Sequence, residues 1–361
     1  MRILITGGAG FVGSSLALLF KRDRADAEII AFDNLRRRGS ELSLPRLKDA
    51  GVKFVHGDVR NPDDLAEVGD IDLLLECSAE PSVHAGYGGS PGYVLHTNLT
   101  GTIHCLELAR RANADVIFLS TSRVYPIAPL RALPLTRQHD RLDLAADASG
   151  PGWSRAGIST DFSLAGYRSM YGATKLASEL LIEEYRAMYG LRTVVNRCGV
   201  LSGPWQMGKV DQGFIVLWAS RHLFGEPLSY IGFGGEGHQI RDVLHVADLY
   251  DLVRIQVADM AAHSGAVYNV GGGHANSVSL AELTALCRAG AGQSVPIASN
   301  PRTSDADVPY YVTDNSAVTA ATGWTPTRSV QTVLDDVFAW LRSHRAILEP
   351  VFATRPAPVT S

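Results

Sequence analysis

The chain has 361 residues, of which 46% are apolar and 19% are charged, and its formal net charge is −4. This composition excludes a disordered chain, and a charge so near zero gives no basic surface for nucleic acid or an anionic membrane. No apolar run reaches the ~20 residues of a membrane-spanning helix and the N-terminus lacks a secretory pattern, so we expect a soluble, cytoplasmic protein. The four cysteines have no metal-ligand spacing, and we expect no metal centre.

Short apolar and β-branched runs alternate with helical patterns over the first two hundred residues. The predicted strands cover residues 2–6, 28–32, 52–55, 73–76, 116–120 and 192–196. The predicted helices cover 12–22, a segment starting at Asn61-Pro62, 94–113 and 170–189. Apolar strands separated by helices are typical of a parallel sheet covered on both faces. The chain is therefore predicted to have an α/β fold with a doubly wound parallel sheet.

This regular alternation weakens near residue 200, where glycine and proline become frequent, although ordered segments are still expected at 279–288 and 330–342. We expect a first domain at residues 1–195 and a smaller, mixed α/β substrate domain at 196–350, from which some elements return to the first domain. Residues 351–361 are expected to form a flexible tail. The segment 126–166 has few periodic signals, and a loop of that length is typical of a functional lid or of disorder.

A glycine cluster lies between the first strand and the first helix, with Gly7, Gly8, Gly10 and Gly13 in Thr-Gly-Gly-Ala-Gly-Phe-Val-Gly. This spacing is typical of a dinucleotide-binding turn, in which glycine lets the backbone approach a pyrophosphate at a helix N-terminus. Asp33 ends the second strand, where a carboxylate accepts the ribose hydroxyls of NAD. The first domain is therefore predicted to be Rossmann-like and to bind NAD.

Two neighbouring features leave alternatives open. The run 36–38 is Arg-Arg-Arg, which either accommodates the 2′-phosphate of NADP or forms a solvated surface turn. Asp58 ends the third strand, where its carboxylate either meets the adenine amino group or caps the next helix. Because Asp33 opposes a 2′-phosphate, NAD is the predicted cofactor.

Tyr171 and Lys175 form a Y-x-x-x-K pattern at the start of a predicted helix. The i, i+4 spacing places the phenol and the ammonium on one helix face. A nearby cation, together with an oxidised nicotinamide ring, favours the phenolate and lowers the pKa of tyrosine from its usual ~10. The pair is therefore predicted to provide a general base.

With these residues in place, the chain resembles the extended short-chain dehydrogenase/reductase superfamily over roughly residues 1–345, in its sugar-nucleotide epimerase and dehydratase branch. The family's triad is Ser or Thr, Tyr and Lys, and alignment on Val124-Tyr125 implies that the catalytic hydroxyl belongs to Thr121, with Ser122 as the alternative. The resemblance implies a tightly bound NAD that is regenerated in each turnover and a nucleotide-diphosphate sugar as substrate. It further implies a cofactor site formed by Gly7, Gly10, Phe11, Val12, Gly13, Asp33, Asn34, Asp58, Val59, Ser78, Ala79, Glu80, Asn98, Ser120, Tyr171, Lys175, Cys198 and Val200.

The family's dehydratases carry Thr-Asp-Glu where this chain has Thr121-Ser122-Arg123, so the two acids that drive elimination of water are missing. The stretches 78–83, 169–179 and 196–213 resemble the branch of CDP-paratose (CDP-tyvelose) 2-epimerases. Val200 occupies the position where common 4-epimerases have an asparagine. The resemblance therefore implies epimerisation at C2 of a CDP-sugar by transient oxidation. A 4-epimerase of another activated hexose or heptose, a nucleotide-sugar reductase or dehydrogenase, and an NAD-sensing regulator remain open.

Substrate contacts are expected from two regions. A polar loop after the sixth strand contains Gln206, Lys209 and Gln212, and it is either a ligand loop or an ordinary surface loop. The full predicted substrate set is Ser122, Arg123, Gln206, Lys209, Gln212, Arg241 and Tyr310. The resemblance implies that Arg241 binds the diphosphate, for which a fork of donors is suited, whereas Tyr310 is either a ligand contact or a core residue.

The resemblance also implies a homodimer or higher homo-oligomer that associates through the helices at 94–113 and 170–189. Leu176, Leu180 and Ile182 either face that interface or face the chain's own sheet, and the sequence leaves this open.

Overall fold

The computed structural model describes residues 1–209 and 212–352. The part of the expected flexible tail from residue 353 onward lies outside the described residues, whereas residues 351 and 352 end the last helix.

Within the described ranges, strands and helices follow the predicted order through the first half of the chain and continue to residue 352. The strands are β1 (Arg2–Thr6), β2 (Glu28–Asp33), β3 (Lys53–His56), β4 (Leu73–Glu76), β5 (Asp115–Thr121), β6 (Leu135–Gln138), β7 (Arg141–Leu144), β8 (Trp153–Ser154), β9 (Gly157–Ile158), β10 (Thr193–Cys198), β11 (Val200–Ser202), β12 (Leu228–Ile231), β13 (Ile240–His245), β14 (Ala266–Val270), β15 (Ser277–Ser279), β16 (Ile297–Asn300) and β17 (Tyr310–Tyr311). The α-helices are α1 (Phe11–Asp23), α2 (Leu44–Asp49), α3 (Pro62–Ala66), α4 (Gly92–Leu95), α5 (Gly101–Ala112), α6 (Ile127–Arg131), α7 (Met170–Tyr189), α8 (Phe214–Phe224), α9 (Val246–Ala258), α10 (Met260–His263), α11 (Leu280–Ala291), α12 (Ser316–Thr322), α13 (Val330–Ser343) and α14 (Arg345–Phe352).

The main sheet has the order β14-β10-β5-β4-β1-β2-β3, and each neighbouring pair runs parallel. Its inner strands β10, β5, β4, β1 and β2 are mostly buried on both faces, whereas the edge strands β3 and β14 are partly exposed. Ile3 and Ile5 pack into an apolar cluster with α1 and α9, and Leu4 packs into the cluster under α5 and α7. The predicted doubly wound α/β fold is therefore confirmed. The carboxyl ends of β1, β4, β5 and β10 meet at one edge, where ligands of such sheets bind.

The C-terminal part of the chain builds a second, smaller layer and also returns to the main sheet. β14 adds to the main sheet beside β10, although it follows β10 by more than sixty residues. β11, β13, β15 and β17 form a small mixed sheet, and α8, α11 and α13 enclose a separate apolar core. The division into a first domain at 1–195 and a substrate domain at 196–350 stays a prediction.

The segment 126–166 is ordered, which corrects the expectation of a long irregular loop. It contains α6 and the two hairpins β6–β7 and β8–β9. Its apolar side chains pack with β17 in a further core cluster that contains Tyr125 and Tyr311, so tertiary packing organises a stretch that has little local periodicity.

The helix predicted at 94–113 is present, but it has a defect. α4 continues into α5 through a π-helical turn at His96–Thr100. Such turns often lie at functional sites. No helix in the described residues is long and apolar enough to cross a membrane.

Candidate active site

A cavity of about 620 Å³ opens at the carboxyl edge of the main sheet. Most of the residues predicted for a site border it. They are Gly7, Gly10, Phe11, Val12, Gly13, Asp33, Asn34, Val59, Ser78, Ala79, Glu80, Ser120, Thr121, Tyr171, Lys175, Cys198, Val200, Gln206, Lys209 and Gln212. The predicted residues Asp58, Asn98, Ser122, Arg123, Arg241 and Tyr310 lie outside this lining.

The glycine turn between β1 and α1 is packed too tightly for side chains. Gly7 has φ +63°, a Cβ on Gly13 would lie 2.2 Å from the carbonyl oxygen of Gly7, and a Cβ on Gly8 would lie 2.5 Å from the Cα of Ala31. α1 starts after Gly10 without a side-chain cap among the described residues. The N–H groups of its first turn and its positive dipole end therefore border the cavity, as an anion site requires.

Asp33 connects this turn to the loop after β2. Its carboxylate accepts hydrogen bonds from the backbone N–H of Ala9 at 3.1 Å and of Leu35 at 2.7 Å. Burial raises the pKa of Asp33, and these backbone donors oppose that effect. A carboxylate held at the edge of the cavity can accept hydrogen bonds from ribose hydroxyls, and its negative charge repels a phosphate.

Asn34 lines the cavity beyond Asp33 and is held from behind by Asp58. The Asn34 amide donates to Asp58 Oδ2 at 2.9 Å, and Arg60 bonds the same carboxylate at 2.6 Å. Although burial acts in the opposite direction, hydrogen bonds from Arg60 and Asn34 lower the pKa of Asp58 to about 2. Asp58 also accepts the backbone N–H of Arg60 at 2.9 Å. It lies behind Asn34, outside the lining of the cavity.

The three arginines at 36–38 are each bound within the protein. Arg36 stacks on Tyr93 with its guanidinium 4.0 Å from the ring centroid. Arg37 donates to the carbonyl oxygen of Met207 at 3.0 Å and to the side chain of Gln212, and Arg38 donates to the carbonyl oxygen of Pro350 at 3.0 Å. Arg37 thus joins the loop after β2 to the loop after β11, across the cavity.

Tyr171 and Thr121 are brought together by tight packing of the start of α7 on the turn after β5. A Cβ on Gly172 would lie 2.1 Å from the carbonyl oxygen of Arg123. Ser169 caps the helix by accepting the N–H of Gly172 at 3.2 Å. Burial raises the pKa of Tyr171 to about 12, and a hydrogen bond with Thr121 opposes this effect. In the chain alone the phenol is therefore protonated, and the lowering expected from the sequence requires charge supplied by groups bound in the cavity.

Lys175 lies one turn after Tyr171, with its side chain 2% exposed, and its ammonium points at the main sheet. Nζ lies 3.9 Å from Glu76 Oε2 and 4.0 Å from the ring centroid of Phe118. Burial raises the pKa of Glu76, and the charge of Lys175 is the largest effect in the opposite direction. Glu76 was not singled out from the sequence, although an acidic residue closing the apolar strand Leu-Leu-Leu-Glu is a signal for it.

Asn98 lies in the π-helical turn and connects two parts of the site without lining the cavity. Its side chain accepts the N–H of Glu80 at 2.7 Å and donates to the carbonyl oxygen of Glu80 at 3.1 Å. The same amide donates to Thr174 Oγ1 at 3.2 Å, and the Asn98 carbonyl oxygen accepts from Ser178 Oγ at 3.1 Å. Asn98 therefore fixes the loop after β4 against α7.

The loop after β11 forms the far wall of the cavity. Gln206 donates to the carbonyl oxygen of Leu201 at 2.9 Å. Lys209 and Gln212 exchange backbone hydrogen bonds of 2.6 and 3.1 Å. Trp205 has a left-handed backbone, with φ +71°, and its ring lies 4.4 Å below the guanidinium of Arg46.

Arg241 and Tyr310 lie outside the lining of the cavity, and their predicted contacts with substrate stay predictions. Arg241 donates to Asp307 Oδ1 at 2.8 Å and to the carbonyl oxygen of Val308 at 2.6 Å, and burial lowers its pKa to about 10. Arg123 lies against the same carboxylate, at 3.7 Å. Tyr310 is fully buried because β17 pairs with β13 inside the smaller layer. Ser122 starts a 3₁₀ turn just outside the lining.

The chain was compared with known families, curated proteins and solved structures. The model of the family described as "NAD dependent epimerase/dehydratase family" matches residues 3–271. CDP-paratose 2-epimerase of Salmonella typhi is 29% identical over 358 residues, covering 95% of this chain and 100% of that protein. A dTDP-glucose 4,6-dehydratase of Streptomyces niveus is also 29% identical, covering 97% of this chain and 96% of that protein.

Two solved structures illustrate the shared fold. The dTDP-glucose 4,6-dehydratase DesIV of Streptomyces venezuelae, a double mutant with NAD bound, superposes with a TM-score of 0.78 at 26% identity, covering 97% of this chain and 100% of that one. UDP-glucuronic acid 4-epimerase of Bacillus cereus superposes with a TM-score of 0.77 at 22% identity, covering 95% of this chain and 99% of that one.

Proposed function

Because the chain belongs to the NAD-dependent epimerase/dehydratase family, we propose that it epimerises a nucleotide-diphosphate sugar by transient oxidation to a keto-sugar and re-reduction from the opposite face. NAD as the cofactor is confirmed by this membership. The residues of the cavity fit it: a glycine turn without room for a Cβ, a free helix N-terminus, and a carboxylate at Asp33.

The observation that carries epimerisation over dehydration is the turn after β5. Both a 2-epimerase and a 4,6-dehydratase are 29% identical to this chain over nearly its whole length, so similarity alone does not choose between them. Elimination of water requires acidic groups beside the sugar, and the dehydratases of the family carry two after the threonine. Here Ser122 and Arg123 follow Thr121, and Arg123 is paired with Asp307 outside the cavity.

The triad residues have distinct tasks in this reaction. Tyr171 takes the proton of a sugar hydroxyl as general base and later returns it to the oxygen of the inverted centre. Thr121 holds the phenol through the hydrogen bond that opposes its raised pKa. Lys175 borders the same cavity one turn after Tyr171 with its ammonium paired to Glu76, so the charge that favours the phenolate comes mainly from the oxidised cofactor. Bound NAD supplies the acceptor and donor of hydride.

We propose C2 of a CDP-sugar as the site of inversion, supported by the similarity to CDP-paratose 2-epimerase. The substrate lies between Tyr171 and the loop that carries Gln206, Lys209 and Gln212, since these residues face one cavity. Inversion at C4 of another activated sugar is the second candidate, because solved 4-epimerases share the fold.

The experiment is incubation of the purified chain with CDP-, ADP-, GDP- and UDP-sugars, with the product identified by NMR. We expect one sugar to give an inverted centre without net formation of NADH. A 4-keto-6-deoxy product would show dehydration, and stoichiometric NADH would show a net dehydrogenase.

We further propose a cytoplasmic homodimer that associates through α7 and its neighbour α5. Leu180 and Met188 are 65% and 67% exposed on the outer face of α7, whereas Ile182 is buried in the chain's own core. Leu176 packs partly against the core cluster under β17. Sedimentation of the wild-type chain and of Leu180→Glu tests this, with a monomeric variant as the expected result.

A further inference from the structure

Glu76 is a buried acidic residue to which the proposed reaction assigns no task. It closes β4, its side chain is 1% exposed, and it lies opposite Thr6 on β1 and Phe118 on β5. A carboxylate in the middle of a parallel sheet is costly unless it is paired. Its partners therefore indicate why it is there.

The partner that carries charge is Lys175. Its ammonium lies between two side chains that are neighbours across the sheet, 3.9 Å from Glu76 Oε2 and 4.0 Å from the ring centroid of Phe118. Ser78 Oγ donates to Glu76 Oε1 at 2.8 Å, and Thr102 Oγ1 lies 3.4 Å from Oε2. Among the described residues, Glu76 is the one carboxylate within 4.0 Å of this ammonium.

Lys175 also borders the cavity, whereas Glu76 lies behind it. The two opposite charges thus form a pair of zero net charge in the cavity wall. Both members are almost completely withdrawn from water, where charges act on one another more strongly than at the surface.

We propose that Glu76 is a positioning residue that holds the Lys175 ammonium at the cavity wall and balances its charge, so that the oxidised form of the cofactor is not repelled. The inference rests on the proposed function, because it takes NAD as the cofactor and Lys175 as a triad residue. NAD⁺ carries one positive charge more than NADH on the nicotinamide ring. The net charge of the cavity wall therefore sets the affinity for NAD⁺ relative to that for NADH.

If Glu76 balances charge, its replacement changes the ratio of the affinities for NAD⁺ and NADH, which a residue that only packs in the core would not do. Replacing Glu76 by glutamine leaves an unbalanced cation and disfavours NAD⁺ relative to NADH. Replacing Lys175 by methionine removes the largest effect that opposes the raised pKa of Glu76, so the buried carboxyl takes up a proton and the wall stays neutral. Removing both charges brings the ratio of the two affinities back toward that of the wild type.

The test is calorimetric titration of the full chain with NAD⁺ and with NADH at mildly alkaline pH. It covers the wild type, Glu76→Gln, Lys175→Met and the double variant. We expect Glu76→Gln to shift the ratio of dissociation constants about tenfold against NAD⁺, and Lys175→Met and the double variant each to lie within about threefold of the wild type. A ratio unchanged within twofold in Glu76→Gln, or a shift in the double variant as large as that of Glu76→Gln, overturns the proposal.

Glu179→Gln is the matched control. Glu179 is another buried glutamate, and it lies on α7 one turn beyond Lys175. It is bound to Arg197 at 2.7 Å and lies outside the cavity lining. Its replacement should lower stability and leave the ratio unchanged, and a shift equal to that of Glu76→Gln would also overturn the proposal. If Glu76→Gln does not fold, Glu76→Leu replaces it in the same titration, since it also leaves the Lys175 ammonium without its balancing charge. A wild-type chain that binds neither form would refute the proposed function itself, whereas binding with an unmoved ratio refutes this inference alone.

Discussion

Replacing Gly13 by alanine tests the fit of the glycine turn to its ligand. The added Cβ would lie 2.2 Å from the carbonyl oxygen of Gly7 and 2.9 Å from the Cα of Gly8, more than 1 Å short of ordinary contact with the first of these atoms. Both partners are backbone, so the turn must open. Overpacking of this kind costs about 1–3 kcal/mol.

That cost falls on the conformation that receives the pyrophosphate, because the turn and the start of α1 form one wall of the cavity. At about 1.4 kcal/mol per factor of ten, NAD⁺ affinity should fall about five- to 150-fold. The assay is calorimetric titration with NAD⁺, accompanied by thermal denaturation.

The matched control is Gly89→Ala, since a Cβ there meets no atom within 4 Å and the backbone is not left-handed. It should leave both NAD⁺ affinity and the midpoint of unfolding unchanged. A Gly13→Ala protein that binds NAD⁺ within twofold of the wild type would refute the assignment of this turn to the cofactor.

Four further predictions concern three side chains. Tyr171→Phe should reduce turnover at least a hundredfold while NAD⁺ affinity stays within a few-fold, since it removes the base and little else; near-normal turnover would refute the mechanism. Because the pKa of Tyr171 is raised to about 12 by burial and the base must be ionised, kcat/KM should rise with pH through the neutral range, and a rate that falls with pH there would contradict this role. Tyr310→Phe should leave stability within about 1 kcal/mol and KM unchanged if Tyr310 is a core residue, because its buried hydroxyl has no hydrogen-bond partner among the described residues; a raised KM would show that it is a substrate contact. Arg37→Gln should release NAD⁺ about tenfold faster by breaking the contacts with Met207 and Gln212, whereas a selective loss of NADP⁺ binding would show that Arg37 binds a phosphate.

The first half of the fold was predictable because each element has a local signal. β1, β4 and α7 have the predicted bounds, since a continuous apolar run in a strand and the 3.6-residue period of a helix are both set by neighbouring residues. The position of β14 could not be predicted from neighbouring residues, because it pairs with β10, which ends more than sixty residues earlier in the chain. The order within 126–166 likewise comes from packing against β17.

The candidate site divides in the same way. The residues of the glycine turn and the Tyr-x-x-x-Lys pair are close in sequence, and both border the cavity. The surroundings of Arg241 and Tyr310 could not be predicted, because Asp307 and the pairing of β17 with β13, which determine them, have no trace in the local sequence pattern. Glu76 was missed because its role depends on the ion pair with Lys175, which lies about a hundred residues later in the chain.

The most direct test of the central claim follows the hydrogen at the inverted carbon. A nucleotide sugar deuterated at that carbon is incubated with the chain in light water, and the product is analysed by NMR and mass spectrometry. Transient oxidation followed by return of the same hydride predicts that the epimer keeps its deuterium. Loss of the label to solvent, or recovery of a dehydrated sugar in place of an epimer, would contradict the proposed reaction.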